Sequence, residues 1–255
     1  MPTAPNCVDT SADATLLLTA TVNPGACINT ARSDPAQRLA DYRQALRGWI
    51  AHGCFPKVVL AENSGVAAEL FAEEAALART RGLAFEFVPC PPGDQDPARG
   101  KGYGELGIIA AALAGSAIIA AGGSGAVVVK GTGRYVQANP RTLAALAARG
   151  LDGCAVVCDL RGNLSHADSR VFAATAGFLV GHLLPQRVVV DDRKYVFFEH
   201  VLARAVHTAM GAGASWRPLP AVPRIVGIGG TDNRGHRLSI PRRVRQALLR
   251  HLIAY

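Results

Sequence analysis

Two glycine-flanked cations are the residues whose types and spacing point most directly to chemistry. The segment GKGYGE spans residues 100–105, and the segment KGTGRY spans residues 130–135. Glycine lets backbone N–H groups approach a ligand closely, and lysine and arginine supply the charge that a phosphate group needs. Together the two segments predict one binding site for a phosphorylated ligand.

Short apolar runs alternate with longer helical patterns along the first half of the chain. Strands are predicted over residues 15–22, 57–61, 84–88 and 126–130, and helices over residues 34–53, 66–81 and 103–121. This alternation is typical of a mostly parallel sheet with helices on both faces. Because ligands of such sheets bind beyond the carboxyl ends of the strands, we expect the chemistry in the segments that follow them.

The second half of the chain is less regular. Helices are predicted over residues 140–149 and 195–210, and strands over residues 155–159 and 170–175. A glycine-rich loop follows at residues 225–235, which either closes over a phosphate or is a simple turn.

Polar residues follow the first two predicted strands. Asn23 follows the first, and Glu62, Asn63 and Ser64 follow the second. A carboxylate, an amide and a hydroxyl together can bind the base or ribose of a nucleotide. The same residues are equally suited to cap the helix that comes next.

Both cationic segments also follow predicted strands. Lys101 is expected to contact a phosphate or a nucleotide ring, with Glu105 either capping the helix start or orienting Lys101. Lys130 ends a Val-rich run and is expected to point out of the sheet edge, with Arg134 four residues on. Lys130 and Arg134 could then neutralise a diphosphate leaving group, the work that a divalent cation does in many transferases. The alternative is two surface charges.

Three later carboxylates are candidates for acid–base or metal chemistry. Asp191 and Asp192 are adjacent and precede the last well-defined helix, so they could bind a metal or cap that helix. Glu199 follows three apolar residues, and a desolvated carboxylate there suits a general base. A structural ion pair with Arg193 or Arg204 is the competing interpretation.

Composition narrows the class of protein. The chain has 255 residues, of which 49% are hydrophobic, and a formal charge of +8, which favours one domain and an anionic partner, or an Arg-rich surface. The six cysteines lack paired spacing, so they predict free thiols in a reducing cytosol rather than a zinc site. No secretory signal is recognised, and the apolar run at residues 106–129 is interpreted as a buried helix followed by a strand, not a membrane span.

The ordered set of motifs resembles small bacterial glycosyltransferases of the GT-A type that build surface polysaccharides such as capsule, O-antigen and lipopolysaccharide. The motifs are ENSG at residues 62–65, the two cationic segments with Asn139, DLR at residues 159–161 and FEHVL at residues 198–202. Their order and spacing carry the resemblance, which extends over roughly residues 15–230. It implies a GT-A-like, Rossmann-like sheet and transfer of a sugar from a nucleotide-sugar donor to a saccharide or lipid-linked saccharide.

The resemblance also implies residue roles. Glu199 best matches the base of an inverting enzyme, and Asp191 or Asp192 is the less favoured choice. The residues expected to bind the nucleotide sugar are Asn23, Glu62, Asn63, Ser64, Lys101, Gly102, Glu105, Lys130, Thr132, Gly133, Arg134, Tyr135, Asp159 and Arg161. GT-A enzymes usually carry an Asp-x-Asp metal motif where this chain has residues 130–134, which include no carboxylate. We therefore expect no cofactor and a metal-independent reaction, although a divalent metal is not excluded.

The expected organisation is a tail at residues 1–14, a single GT-A-like domain at residues 15–235 and a basic amphipathic helix at residues 236–255. Such a helix suits an anionic membrane surface, or packs on the domain. The expected location is cytoplasmic, with peripheral attachment to the inner membrane as an option. The alternatives are a non-catalytic nucleotide or nucleic-acid binder, which the 6% aromatic content disfavours, and a sugar nucleotidyltransferase, whose basic Gly-rich loop is missing after Val22. The sequence leaves the donor sugar, the acceptor and the oligomeric state open.

Overall fold

The computed structural model describes residues 14–91, 96–161 and 163–229. Its strands are β1 (Thr15–Ala20), β2 (Lys57–Glu62), β3 (Ala84–Pro89), β4 (Val127–Thr132), β5 (Val136–Gln137), β6 (Val156–Val157), β7 (Val171–Thr175), β8 (Trp216–Arg217) and β9 (Ile225–Val226). Seven of them form one sheet in the order β3-β2-β1-β4-β7-β6-β8, and β5 pairs with β9 separately.

The α-helices are α1 (Pro35–His52), α2 (Ala72–Thr80), α3 (Lys101–Gly115), α4 (Ala117–Ala120), α5 (Arg141–Ala148), α6 (Ala176–Phe178) and α7 (Phe198–Gly211). The ends of α1 agree with the sequence signals. The Asp34 side chain accepts a hydrogen bond from the backbone N–H of Gln37 at 2.7 Å, Pro35 begins the helix, and Gly53 ends it with a φ of 59°.

The sheet is mostly parallel, as predicted. β1 pairs in parallel with β2 and β4, and β2 with β3, whereas β7 is antiparallel to both β4 and β6. The chain builds β1, β2 and β3 outward in one direction and then returns to place β4 on the other side of β1. This reversal creates a crevice between the carboxyl ends of β1 and β4, where open α/β sheets bind their ligands.

Apolar layers cover both faces of the sheet. Leu16 and Leu18 of β1 belong to the layer beneath α1, whereas Leu17 between them belongs to the layer beneath α3 and α7. All three side chains are fully buried, and each contributes about 1.5–3 kcal/mol relative to an exposed position. The central strands are therefore fixed in register, which in turn fixes the residues at their carboxyl ends.

Several sequence predictions differ from the structure or lie outside it. The apolar run at residues 106–129 is divided among α3, α4 and β4, and no helix of the described residues is long and apolar enough to cross a membrane. The predicted helix at residues 195–210 begins only at Phe198, because Asp191 and Val196 pair in a short antiparallel bridge before it. The predicted tail, apart from Ala14, and the predicted basic helix fall outside the described residues, as does most of the glycine-rich loop.

Candidate active site

A cavity of about 110 Å³ occupies the crevice between β1 and β4. Its walls come from the ends of β1 and β4, the loop after β1, the turn after β2, the N-terminal half of α1, and the first two turns of α3 with the residues just before them. Its lining includes Thr19, Thr21, Arg38, Tyr42, Asn63, Lys101, Glu105, Thr132 and Arg134. The structure thus brings together one residue from the turn after β2 and residues from both cationic segments.

Glu105 is the carboxylate at the centre of this cavity. Its Oε1 atom accepts hydrogen bonds from the hydroxyls of Thr19 at 2.7 Å and Thr132 at 3.3 Å, and lies 2.6 Å from Nζ of Lys130. Burial alone would raise the pKa of Glu105, but the charge and hydrogen bond of Lys130 and the two threonine hydroxyls outweigh it and lower the pKa below 4.5. Within the described residues Oε2 receives no hydrogen bond, so this oxygen is available to a ligand.

Lys130 lies in a different place from the one predicted. Its side chain is fully buried instead of pointing out of the sheet edge. Nζ donates to the backbone oxygen of Ser169 at 2.7 Å and to the Thr132 hydroxyl at 3.1 Å, and lies 5.5 Å from the ring centre of Phe198. The reason is that β4 continues for two residues beyond Lys130, which leaves its side chain between the sheet and α7. Lys130 therefore holds Glu105 from behind and does not line the cavity.

Arg134 reaches the cavity because of the glycine before it. The Gly133 N–H donates to the Thr19 oxygen at 2.9 Å, and a Cβ on Gly133 would lie only 2.6 Å from that oxygen. Arg134 is 8% exposed, its Nη1 donates to Ile228 O at 2.7 Å, and its guanidinium carbon lies 5.4 Å from the centre of the Tyr135 ring. Its Nε atom is buried and has no hydrogen-bond partner among the described residues. The backbone oxygen of Tyr135 accepts from Trp49 at 2.8 Å, which is a packing role.

Asp192, from the segment before α7, caps the first turn of α3. Gly100 has a φ of +92°, and a Cβ there would lie 2.1 Å from Cγ of Asp192. Burial raises the pKa of Asp192, although its carboxylate accepts hydrogen bonds from the Asn29 side chain and the Lys101 backbone N–H. Gly102 also packs against the start of α7, less tightly, with Phe198 N 3.0 Å from a Cβ placed there.

The adjacent aspartates therefore act as caps. Asp191 accepts from the backbone N–H and the guanidinium of Arg193, which lowers its pKa to about 2. Neither Asp191 nor Asp192 lines the cavity. In the described part of the chain, no three His, Cys, Asp or Glu side chains lie close enough together to hold a metal ion.

Lys101 lines the cavity directly. Its Nζ donates to the backbone oxygen of Asn29 at 2.7 Å, in the loop after β1. Burial is the largest influence on this amine and lowers its pKa. Lys101 thus places a partly desolvated cation at the cavity wall, near enough to Arg134 for that charge to lower its pKa further.

The residues after β2 divide into two groups. Glu62 is 1% exposed and accepts the backbone N–H groups of Val22 and Ser64, each at 2.9 Å, and also the Ser64 hydroxyl. Asn23 is exposed and donates its N–H to the Ser64 hydroxyl at 2.9 Å. These three residues tie the turn after β2 to the loop after β1. Asn63 is the member that lines the cavity, with Oδ1 accepting from the Thr21 hydroxyl at 2.6 Å.

Glu199 lies beyond the cavity wall, behind Lys130. Its Oε1 atom accepts from the Ser169 hydroxyl at 2.8 Å, and the Ser169 backbone oxygen is the one bound by Lys130. The two carboxylates, Glu105 and Glu199, are therefore linked through Lys130 and Ser169. Within the described residues Glu199 makes no ion pair with Arg193 or Arg204, the competing interpretation of its sequence context.

Asp159 and Arg161 lie away from the cavity. Asp159 accepts the Leu219 N–H at 3.0 Å and so joins the end of β6 to the segment after β8. The backbone N–H of Arg161 donates to His166 at 2.7 Å, and its side chain is exposed. Neither residue is among those that line the cavity.

Several residues of the cavity wall were not predicted from the sequence, among them Thr19, Thr21, Arg38 and Tyr42. Arg38 donates to the backbone oxygens of Thr21 at 2.7 Å and Arg32 at 2.9 Å, and to the Tyr42 hydroxyl at 3.0 Å. Arg38 and Tyr42 are four residues apart on α1 and both are buried. A charged residue on the buried face of a helix is the signal that would have identified the pair.

Comparisons with known proteins leave the family open. No protein-family model and no curated protein sequence matches the chain. One solved structure with a similar fold is a Bacillus anthracis protein described as a glucose-1-phosphate thymidylyltransferase, in complex with sucrose. It shares 10% identity and a TM-score of 0.44, over 93% of this chain and 94% of that one. A likeness at this level carries no argument about function, which has to come from the site.

Proposed function

We propose that the protein is a glycosyltransferase that binds a nucleotide sugar in the cavity between β1 and β4. The observation that carries the proposal is the buried Nε of Arg134, which has no hydrogen-bond partner among the described residues, in a cavity that Lys101 also lines. An unsatisfied buried donor on a cation costs about 1–3 kcal/mol unless a ligand meets it. An anionic group such as a diphosphate supplies the missing acceptor.

Four polar residues that line the cavity have a role in this proposal. Lys101 and Arg134 bind the diphosphate, and Asn63 together with Oε2 of Glu105 accepts hydrogen bonds from the nucleoside or the sugar hydroxyls. Lys130 positions Glu105 and does not touch the ligand. This assignment replaces the expectation that Lys130 binds the diphosphate.

Glu199 is the proposed base. Because Glu199 does not line the cavity, we place the nucleoside diphosphate in the cavity and the donor sugar beyond it, towards the start of α7. The acceptor hydroxyl gives its proton to Glu199 while its oxygen bonds to the anomeric carbon of the donor sugar. The bond between that carbon and the diphosphate oxygen breaks, and the electron pair stays on the diphosphate, which Lys101 and Arg134 stabilise. The acceptor is a saccharide, free or lipid-linked, and the chain would work in the cytoplasm at the inner membrane in surface-polysaccharide synthesis.

Binding of nucleoside diphosphates and nucleotide sugars tests the proposal. Calorimetry with UDP, GDP, dTDP and their sugar conjugates should show that the protein binds the nucleotides of one nucleobase more tightly than the others. Arg134→Met should weaken that binding by roughly 30-fold, since a charge-assisted hydrogen bond is worth about 2 kcal/mol. Arg79→Met, at an exposed position on α2, is the matched control. Equal affinities of the two variants would remove Arg134 from the site.

Activity measurements separate the competing functions. Nucleoside diphosphate release from the donor, measured with EDTA and again with Mn²⁺, tests metal independence, and activity that needs Mn²⁺ would overturn it. Pyrophosphate release from a nucleoside triphosphate and a sugar 1-phosphate would instead identify a nucleotidyltransferase. Salt-dependent DNA binding without affinity for nucleotides would identify a non-catalytic binder.

A further inference from the structure

Four aromatic rings form a row beside Glu199, outside the cavity. The Tyr195 and Phe197 ring centres are 6.4 Å apart, those of Phe197 and His200 are 5.6 Å apart, and those of His200 and His166 are 4.0 Å apart. Tyr195 is 78% exposed, and the other three side chains are half-buried. The function proposed above gives no role to this aromatic row.

Local hydrogen bonds hold the aromatic row in place. The bridge between Asp191 and Val196 projects Tyr195 at the end of a tight turn, with a φ of 57°. The Phe197 N–H donates to Nδ1 of His200 at 3.1 Å, which keeps the two rings within 22° of parallel. The rings are thus ordered before any ligand arrives, which lowers the entropy cost of binding.

Polar groups lie along the same row. Glu199 is the chain neighbour of His200, and the Ser165 hydroxyl lies 2.8 Å from Nδ1 of His166. Burial and the neighbouring His166 lower the pKa of His200. A surface that alternates aromatic faces with hydrogen-bonding groups matches a pyranose, which has an apolar face of C–H groups and a rim of hydroxyls.

We infer that the aromatic row is a saccharide-binding subsite that presents the acceptor hydroxyl to Glu199. The inference rests on the proposed transferase function and adds to it where the acceptor lies. It also accounts for an exposed tyrosine in a left-handed conformation, which packing among the described residues does not require. The competing interpretation is that the rings only stabilise the start of α7.

Saccharide binding observed by NMR tests the inference. The probes are trisaccharides of glucose, galactose, mannose and N-acetylglucosamine, added to the protein saturated with the nucleoside diphosphate that binds best. We expect at least one trisaccharide to shift the ring resonances of the aromatic row. Tyr195→Asn, which removes the ring but tolerates the left-handed backbone, should weaken this binding by about fivefold or more. Met210→Asn is the control, an exposed position on α7 about 15 Å from His200 along the helix.

The outcomes distinguish this inference from the proposed function. Nucleotide binding that is equal in wild type and Tyr195→Asn, with saccharide binding lost only in the variant, supports the subsite. Nucleotide binding without any ring shift, or saccharide affinity unchanged in Tyr195→Asn, overturns the subsite and leaves the donor cavity standing. Ring shifts in a protein that binds no nucleotide support the subsite and overturn the transferase.

Discussion

The buried ion pair between Glu105 and Lys130 gives the sharpest prediction from this structure. Nζ of Lys130 lies 2.6 Å from Oε1 of Glu105, with the lysine side chain 1% exposed and the glutamate side chain 20% exposed. We therefore expect the two charges to depend on each other more strongly than a surface pair does. The perturbations are Glu105→Gln, Lys130→Met and the double variant.

The two single variants should lower the unfolding free energy by different amounts. Glu105→Gln leaves a buried ammonium without a counter-charge, which costs about 3–5 kcal/mol of unfolding free energy. Lys130→Met leaves a partly solvated carboxylate that keeps the Thr19 and Thr132 hydroxyls, so we expect a cost of about 1–2 kcal/mol. The double variant removes both charges, and its cost should fall below the sum of the single costs by about 1–3 kcal/mol.

The pH dependence provides a second test of the same pair. The folded-state pKa of Glu105 lies below its ordinary value of 4.5. The stabilisation from its ionised form is therefore complete above pH 4.5 and is lost as the pH falls through the folded-state value. The gap in unfolding free energy between wild type and Glu105→Gln should be constant from about pH 6 to 8 and close below about pH 4.5.

Urea unfolding at 25 °C, followed by circular dichroism, measures both effects. In thermal unfolding, a Tm of Glu105→Gln about 6–12 °C below that of the wild type would agree with a loss of about 3 kcal/mol in unfolding free energy. A coupling energy below about 0.5 kcal/mol, the limit for independent sites, would refute the ion pair. The ion pair would also be refuted if the difference in unfolding free energy between wild type and Glu105→Gln were the same at about pH 3 as at about pH 7.

Two further variants test the geometry around the site. Gly100→Ala should lower the unfolding free energy by more than about 3 kcal/mol, because the new Cβ would overlap Asp192 and the positive φ is unfavourable for alanine. The control is Gly25→Ala, where φ is +53° and no atom lies within 4 Å of the new Cβ. It should lower the unfolding free energy by only about 1–2 kcal/mol. Equal losses in urea unfolding would contradict the contact with Asp192. Ser169→Ala removes a hydrogen bond to Glu199, so kcat should fall by about fivefold while the donor KM stays unchanged. Thr80→Ala, which removes an exposed hydroxyl on α2, should keep the wild-type kcat, and a loss as large in this control would argue against the role of Ser169.

The sheet and its helices were predictable because their signals are local. The apolar runs predicted where β1 to β4 lie in the sequence. Asp34, Pro35 and Gly53 predicted the two ends of α1. The antiparallel direction of β7 had no such signal, since pairing with β4 depends on residues far away in the chain. The late start of α7 was not predicted either, because a short bridge between Asp191 and Val196 precedes the helix and carries no sequence signal.

The candidate site was predictable only in part. Lys101, Arg134 and Asn63 were predicted from their positions after strands, and they line the cavity. Glu62 and Asp192 have side chains of the same chemical types but bind backbone N–H groups of other segments. Whether a polar residue serves a ligand or its own chain depends on partners 40 to 90 residues away, which local patterns do not specify.

Charge balance in the cavity narrows the proposal for how a diphosphate is held. The charge of Lys130 is neutralised by Glu105, and each guanidinium nitrogen of Arg38 already donates to the chain. The remaining cations that line the cavity are Lys101 and Arg134, and in the proposed function these two residues hold the diphosphate. In that proposal Lys130 has no part in binding the diphosphate and instead holds the carboxylate of Glu105 in place.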